Sequence, residues 1–210
     1  MKEKEQQIRE KIITALLNLL YEKELIQIKS DEIASKATVS KRTLYKYYET
    51  KTAMYLGVVD YCFSDMNRQL EKSFKLPEKA ITLKKMELMC RTYLNYMLEN
   101  PQKAKIIIFF NEQDYLKDYP EITGKIVIEA NKYEPMKYFQ KLSKQNSDSE
   151  FSAESLAIHV HSTIFGLSLL LQTKRYWVED YFGKNVEEII DENVKILMKL
   201  FGGTTDEKER

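Results

Sequence analysis

Between Ser40 and Lys51 the chain gathers side chains that donate hydrogen bonds or carry positive charge: Ser40, Lys41, Arg42, Thr43, Tyr45, Lys46, Tyr47 and Lys51, opposed only by Glu49. Ammonium, guanidinium and hydroxyl groups are what phosphate oxygens accept from, and a guanidinium can also grip a base edge with two parallel bonds. The balance of charge sharpens the point. Residues 1–51 hold eleven Lys/Arg against eight Asp/Glu and the rest of the chain 22 against 24, so a local basic segment sits on a chain of net charge +1. Such an excess is the footprint of a nucleic-acid contact, although on charge alone a solvated basic face is the simpler reading.

The other residues with chemical potential point elsewhere. His159 and His161 are the only histidines, and two positions apart on a helix they diverge by about 200°, so they cannot grip one metal ion as an i, i+4 pair can. One is expected in the core or a pocket and the other near an interface between copies. Cys62 and Cys90 both lie in apolar helical patterns, which suits buried thiols in a reducing cytosol. There is no Gly-rich phosphate loop, no G-x-S-x-G and no cysteine pair at zinc spacing, so no catalytic residue, metal or cofactor is expected, and no enzyme.

Helices must position the basic segment, because six Gly and four Pro in 210 residues leave little loop material. Ile8, Ile12, Leu16, Leu19 and Leu20 recur at helical spacing over about 4–22. After a break at Glu24–Lys29, Ser30 is placed to cap a short helix with Ile33, Ala34 and Ala37 inside, ending near Thr38. Ser40 caps a third, with Leu44 and Tyr48 on its inner face. Two short helices so joined make a helix-turn-helix. Longer helices follow at Thr50–Phe74, Leu83–Leu98, Lys103–Asn111, Glu121–Leu142 with a kink at Pro135, about 23 residues from Ser152, and Val186–Phe201 before Gly202 and Gly203. Glu112–Pro120 and the segment SKQNSDSE read as loops. The longest apolar runs, Ile106–Phe110 and, with one Ser, Ile164–Leu171, fall short of the roughly 18 residues of a membrane span. The start MKEKEQQIREK has no apolar signal core. A cytoplasmic protein without membrane association is expected.

The string from Ile28 to Tyr55 resembles the DNA-binding region of the TetR family: Ile33–Ala34, Ala37, Val39–Ser40, Thr43–Leu44–Tyr45, Tyr47 and Lys51 fall on the family pattern. Thr38 replaces the Gly of the turn, a β-branched residue where a positive φ is often found, and Tyr48 replaces a Phe. The resemblance implies an all-α chain divided into a helix-turn-helix domain at 1–51, a helical ligand-binding and dimerisation domain at 52–203 and a frayed tail at 204–210. It implies a sequence-specific regulator, a repressor released from double-stranded operator DNA by a small lipophilic effector. Burying Leu44 and Tyr48 turns Lys41, Arg42, Tyr45 and Lys46 outward, with Arg42 best placed to read guanine and Thr43, Tyr45 and Tyr47 to donate to phosphate. Lys51, a cation in the first turn of a helix, opposes the helix dipole, a cost that a nearby phosphate would relieve.

Met and aromatic side chains are concentrated among the later helices, as both an adaptable apolar pocket and an ordinary core require. Tyr93, Met97, Phe109, Phe110, His159 and Thr163 are the candidate effector-binding residues. The apolar surface around Ile164–Leu171 exceeds what one core can cover, which predicts a homodimer through the last two long helices. The competing reading is a DNA-binding scaffold or co-regulator with a filled core, controlled by a protein partner.

Overall fold

The computed structural model describes residues 2–73, 82–131 and 151–200, and every element among them is helical. The elements are α1 (Lys2–Leu20), a 3-10 turn (Leu25–Gln27), α2 (Ser30–Lys36), α3 (Lys41–Tyr47), α4 (Lys51–Ser73), α5 (Leu83–Glu99), α6 (Pro101–Phe109), α7 (Gln113–Leu116), α8 (Pro120–Ala130), α9 (Ala153–Phe182) and α10 (Val186–Leu200). They fall into two packing units: Met1–Asp65 with Lys105–Asn131, and Met66–Ala104 with Lys132–Arg210. The kink expected at Pro135, the loop SKQNSDSE, the Gly202–Gly203 stop and the tail lie outside the described residues.

In the first unit α1 buries the stripe its periodicity announces, with Ile12, Ile13, Leu16, Leu17 and Leu19 all inside. These close on Ile28, Ile33, Ala34, Ala37 and Leu44, a small core whose lost apolar surface is the main force holding α2 and α3 in place. Gly57 on α4 makes a close approach possible, since a Cβ there would stand 2.6 Å from Ile13 Cδ1 and 3.1 Å from Tyr48 Cε1.

The turn between α2 and α3 carries the strain anticipated for it. Thr38 has φ 56°, and around it Thr38 N–H donates to Ser35 O at 3.1 Å and Val39 N–H to Ala34 O at 3.0 Å. Those two bonds form the Schellman pattern that ends helices and normally takes Gly at the left-handed position. A left-handed conformation costs a side-chain-bearing residue about 1–2 kcal/mol, part of which Gly loses again through its freer unfolded chain. Thr38 is exposed and little packing is at stake, so Thr38→Gly is expected to raise stability by about 0.5–1 kcal/mol. A higher denaturant midpoint at unchanged slope is the result to look for; a lower midpoint would show that the threonine is not strained.

In the second unit α9 packs on α5 and α10. Thr82 and Ser152 cap α5 and α9, their hydroxyls accepting from Lys85 N–H at 3.3 Å and Ser155 N–H at 3.2 Å. Asn185 and Glu188 bond reciprocally at the start of α10, at 3.0 and 2.9 Å. α9 runs to Phe182, beyond the 23 residues expected, because the chain bends at Lys174 (φ −133°, ψ 24°) and resumes as helix until Gly183 closes it at φ 62°. By length and composition Glu154–Phe182 could cross a membrane; one side of it packs against α5 and α10, and Ile158, Leu169 and Leu170 are exposed. Cys62 and Cys90 are free and buried, and burial pushes the Cys90 thiol up to about 12, which keeps it inert at neutral pH.

Candidate nucleic-acid interface

α3 starts where Ser40 Oγ accepts the Thr43 N–H at 3.0 Å, and the two hydroxyls also meet at 2.8 Å. Leu44, with no exposed surface, anchors the helix inward. The period of the helix then sends Lys41, Arg42, Tyr45 and Lys46 to the opposite face, where all four are exposed.

Their engagements differ. Lys41 Nζ stands 3.1 Å from Asp31 Oδ1 with both side chains largely in solvent, a pair too exposed to hold the lysine firmly. Tyr45 OH meets Ser30 Oγ at 2.6 Å, tying α3 to the start of α2. Lys46 Nζ lies 5.7 Å from the Tyr47 ring centre. Arg42 has no partner among the described residues and is exposed, a guanidinium with its whole donor fork available. The expected cap at Ser30 is not formed: α2 begins at Ser30 itself, and its first turn is closed by Lys29 N–H donating to Glu32 Oε2 at 2.8 Å. Ser30 is committed to Tyr45 instead. The Lys23 ammonium, with the Lys29 N–H behind it, holds the Glu32 carboxyl below its usual range.

The C-terminal end of α3 is clamped by a residue that motif reasoning overlooked. Arg9 on α1 donates from Nη1 to the Tyr47 carbonyl at 3.0 Å, and its guanidinium lies 5.4 Å from the Tyr47 ring centre and 5.3 Å from that of Tyr48. A cation at the carbonyl end of a helix satisfies an orphan acceptor and the negative dipole end together. Arg9 is the only arginine before Arg42, and the carbonyl end of α3 is where a cation was needed. Burial raises the pKa of the Tyr48 hydroxyl, a shift that Arg9 only partly offsets.

Lys51 is also occupied. Its ammonium donates to the carbonyls of Leu25 at 2.8 Å, Ile28 at 3.1 Å and Ile26 at 3.4 Å. The opposing dipole of α4 is thus answered by the carbonyl oxygens of Leu25 and Ile26 in the 3-10 turn and of Ile28 just after it.

The six effector candidates do not fall in one packing unit. Phe109 and Phe110 belong to the first, Phe109 with 62% of its surface exposed and Phe110 stacked on Tyr115 at 5.8 Å. Tyr93, Met97, His159 and Thr163 belong to the second. Tyr93 and Met97 are buried on α5, with Tyr93 against Phe165 at 6.4 Å, while Thr163 is half-buried and His159 exposed on α9. His161, the other histidine, meets the Phe165 ring edge-on at 5.8 Å.

Against known proteins, residues 12–58 match the family described as bacterial regulatory proteins, tetR family. The nucleoid occlusion factor SlmA of Aliivibrio fischeri (strain MJ11) is 29% identical over 115 residues, covering 50% of this chain and 56% of that protein. The chain therefore spans about half the length of the curated relatives it matches. Among solved structures, AibR in complex with isovaleryl coenzyme A and operator DNA is similar at TM-score 0.67 and 16% identity, over 91% of this chain and 98% of that one. The regulator FadR from Bacillus subtilis in complex with stearoyl-CoA is similar at TM-score 0.62 and 16% identity, over 90% and 96%. At such identities the likeness shows the fold alone.

Proposed function

We propose that the chain, whose residues 12–58 match the tetR family of bacterial regulatory proteins, is a cytoplasmic, homodimeric repressor of that family that binds operator DNA and leaves it when a coenzyme A thioester binds. Residues 1–51 would bind DNA and residues 52–203 the effector and the second copy. The observation that carries the DNA half is Arg42: a free guanidinium near the start of a helix whose opposite face is pinned by buried Leu44. Ser40, Lys41, Thr43, Tyr45, Lys46 and Tyr47 would surround it with phosphate donors, and Lys51 would contribute by holding the turn before α2.

Support for this effector class comes from two solved neighbours that carry coenzyme A esters with very different acyl chains. Within the second unit, Met86, Met89 and Met97 are buried beside Tyr93, and unbranched thioethers repack easily around apolar guests of varying length. The open cleft of about 480 Å³ lined by Arg91, Asn95, Arg175 and Asp191 suits the phosphates of such a ligand poorly. Arg91 there is held by Asp191 and Glu87, and Arg175 pairs with Glu179, so carboxylates already compete for both guanidiniums.

One titration tests both halves. By fluorescence anisotropy, the protein is expected to prefer duplexes from upstream of its own gene to random duplex, and Arg42→Ala to lose about 1–3 kcal/mol of that preference while retaining random-duplex binding. Isovaleryl-CoA or stearoyl-CoA should release the wild type. Equal affinity for both duplexes in wild type and variant would defeat the DNA reading. Specific binding that neither ester disturbs would favour the partner-controlled scaffold.

A further inference from the structure

In the first packing unit two polar links join α4 to α8 and the residue before it, and each of the two helices carries one buried oxygen without a hydrogen-bond partner among the described residues. At one end Thr50 Oγ1 accepts the Ala53 N–H at 3.0 Å, the bond that caps α4, and meets Tyr119 OH at 2.8 Å. Further along, Lys125 Nζ donates to Asp60 Oδ2 at 2.6 Å. Alongside α4 runs an aromatic chain, Tyr55–Tyr115 at 6.0 Å, Tyr115–Phe110 at 5.8 Å and Phe110–Phe63 at 6.3 Å. Asp60 Oδ1 and Thr123 Oγ1 are both buried without a hydrogen-bond partner among the described residues. Thr123 lies one turn beyond Tyr119, on the same side of α8, and has no exposed surface.

The position of Thr50 gives the seam its consequence. α3 ends at Tyr47 and α4 begins at Lys51, so the Tyr119 hydroxyl reaches into the three-residue joint at which the exposed basic helix hands over to α4. We propose that Tyr119 is a positioning residue for α3, and that the α4–α8 seam is built to be released. Its hydroxyl steadies the Thr50 cap and, through it, the joint that sets how α3 is presented. A seam meant only for rigidity would satisfy or omit the Thr123 hydroxyl, since a buried polar atom without a partner costs more than a bond well made returns. Here one buried oxygen on each helix goes unpaired while Thr50–Tyr119 and Asp60–Lys125 hold the helices together, so closure is weaker than a fully paired seam would make it. Regulation by such a seam rests on the reading of α3 as the DNA-contacting helix; the mechanical link from Tyr119 to α3 does not.

Amide hydrogen exchange of the full chain separates the two. Tyr119→Phe removes one oxygen and should speed exchange across Lys41–Ala53 by roughly three- to tenfold, the range that one neutral hydrogen bond supplies, with Val186–Leu200 unchanged. Thr123→Val keeps the shape and removes the leftover hydroxyl, and should slow exchange in that same segment. Opposite signs confined to Lys41–Ala53 are the expected result. Unchanged rates, equal signs, or an effect spread equally into α10 would overturn the proposal. A random-sequence duplex provides the second arm: affinity should fall for Tyr119→Phe and rise for Thr123→Val. If exchange moves as expected and duplex affinity does not, the link stands and the reading of α3 as the DNA-contacting helix fails.

Discussion

Lys51→Met is expected to lower stability by about 2–3 kcal/mol in the complete absence of DNA, because it withdraws the ammonium from the Leu25, Ile26 and Ile28 carbonyls. Charged hydrogen bonds are worth about 1.5–3 kcal/mol each when removed singly, and three sharing one ammonium do not add in full. The methionine keeps the apolar stem that the half-buried lysine packs with, so the loss reports the head group. At this chain length the change corresponds to a fall of about 4–12 °C in melting temperature. Arginine should rescue poorly, since its planar fork is larger than the ammonium that fits between three converging carbonyls. Thermal denaturation decides the matter. A melting temperature equal to wild type, with weaker DNA binding, would return Lys51 to the phosphate role that its place in the motif suggests.

The contrast between Lys51 and Leu44 shows what the sequence makes legible. Leu44, Ile33 and Ala37 could be placed inside because helical period alone decides which face an apolar residue occupies, and all three are buried. Ser40 could be named as a cap because capping is a relation between neighbours three apart. Thr38 announced its strain by standing where the pattern has Gly, and its φ of 56° bears this out. Lys51 reaches back 23 residues to Ile28, Arg9 forward 38 to Tyr47, and Thr50 forward 69 to Tyr119. No periodicity encodes such pairings, since each depends on how whole helices pack. The kink at Lys174 and the short α7 escaped for a related reason, as neither is marked by Gly or Pro. Phe109 is a lining candidate because Met and aromatic side chains concentrate among the later helices, yet within Ile106–Phe110 it is Ile107 that is buried and Phe109 that turns outward, a choice that composition leaves open.

If the chain is the homodimer proposed above, Gly166→Arg is expected to convert a dimer of twice 24.9 kDa into a monomer and to weaken operator binding by at least about a hundredfold. Along α9, Ile158 is 62% exposed, Leu169 38% and Leu170 37%, and Ile196 on α10 is 55% exposed. Large apolar side chains left in water on two adjacent helices mark a surface that another surface covers. Gly166 sits among them, and a Cβ built there meets nothing within 4 Å. A helix from a second copy could approach closely at that point, and the equivalent glycine would face it across a two-fold axis, since a symmetric interface pairs each patch with itself. Arginine at 166 points into open space in the single chain, so it should leave the fold and melting of the second unit's core largely intact. In the dimer it would set two like charges against each other in an apolar seam. In the proposed dimer both copies would read half-sites about 34–36 Å apart, so operator affinity should collapse with it, while contact of one copy with random duplex persists. Sedimentation at micromolar concentration measures the first effect and anisotropy the second. A wild type that sediments at 24.9 kDa at every loading would remove this face as the dimer seam, as would a Gly166→Arg protein that remains a dimer.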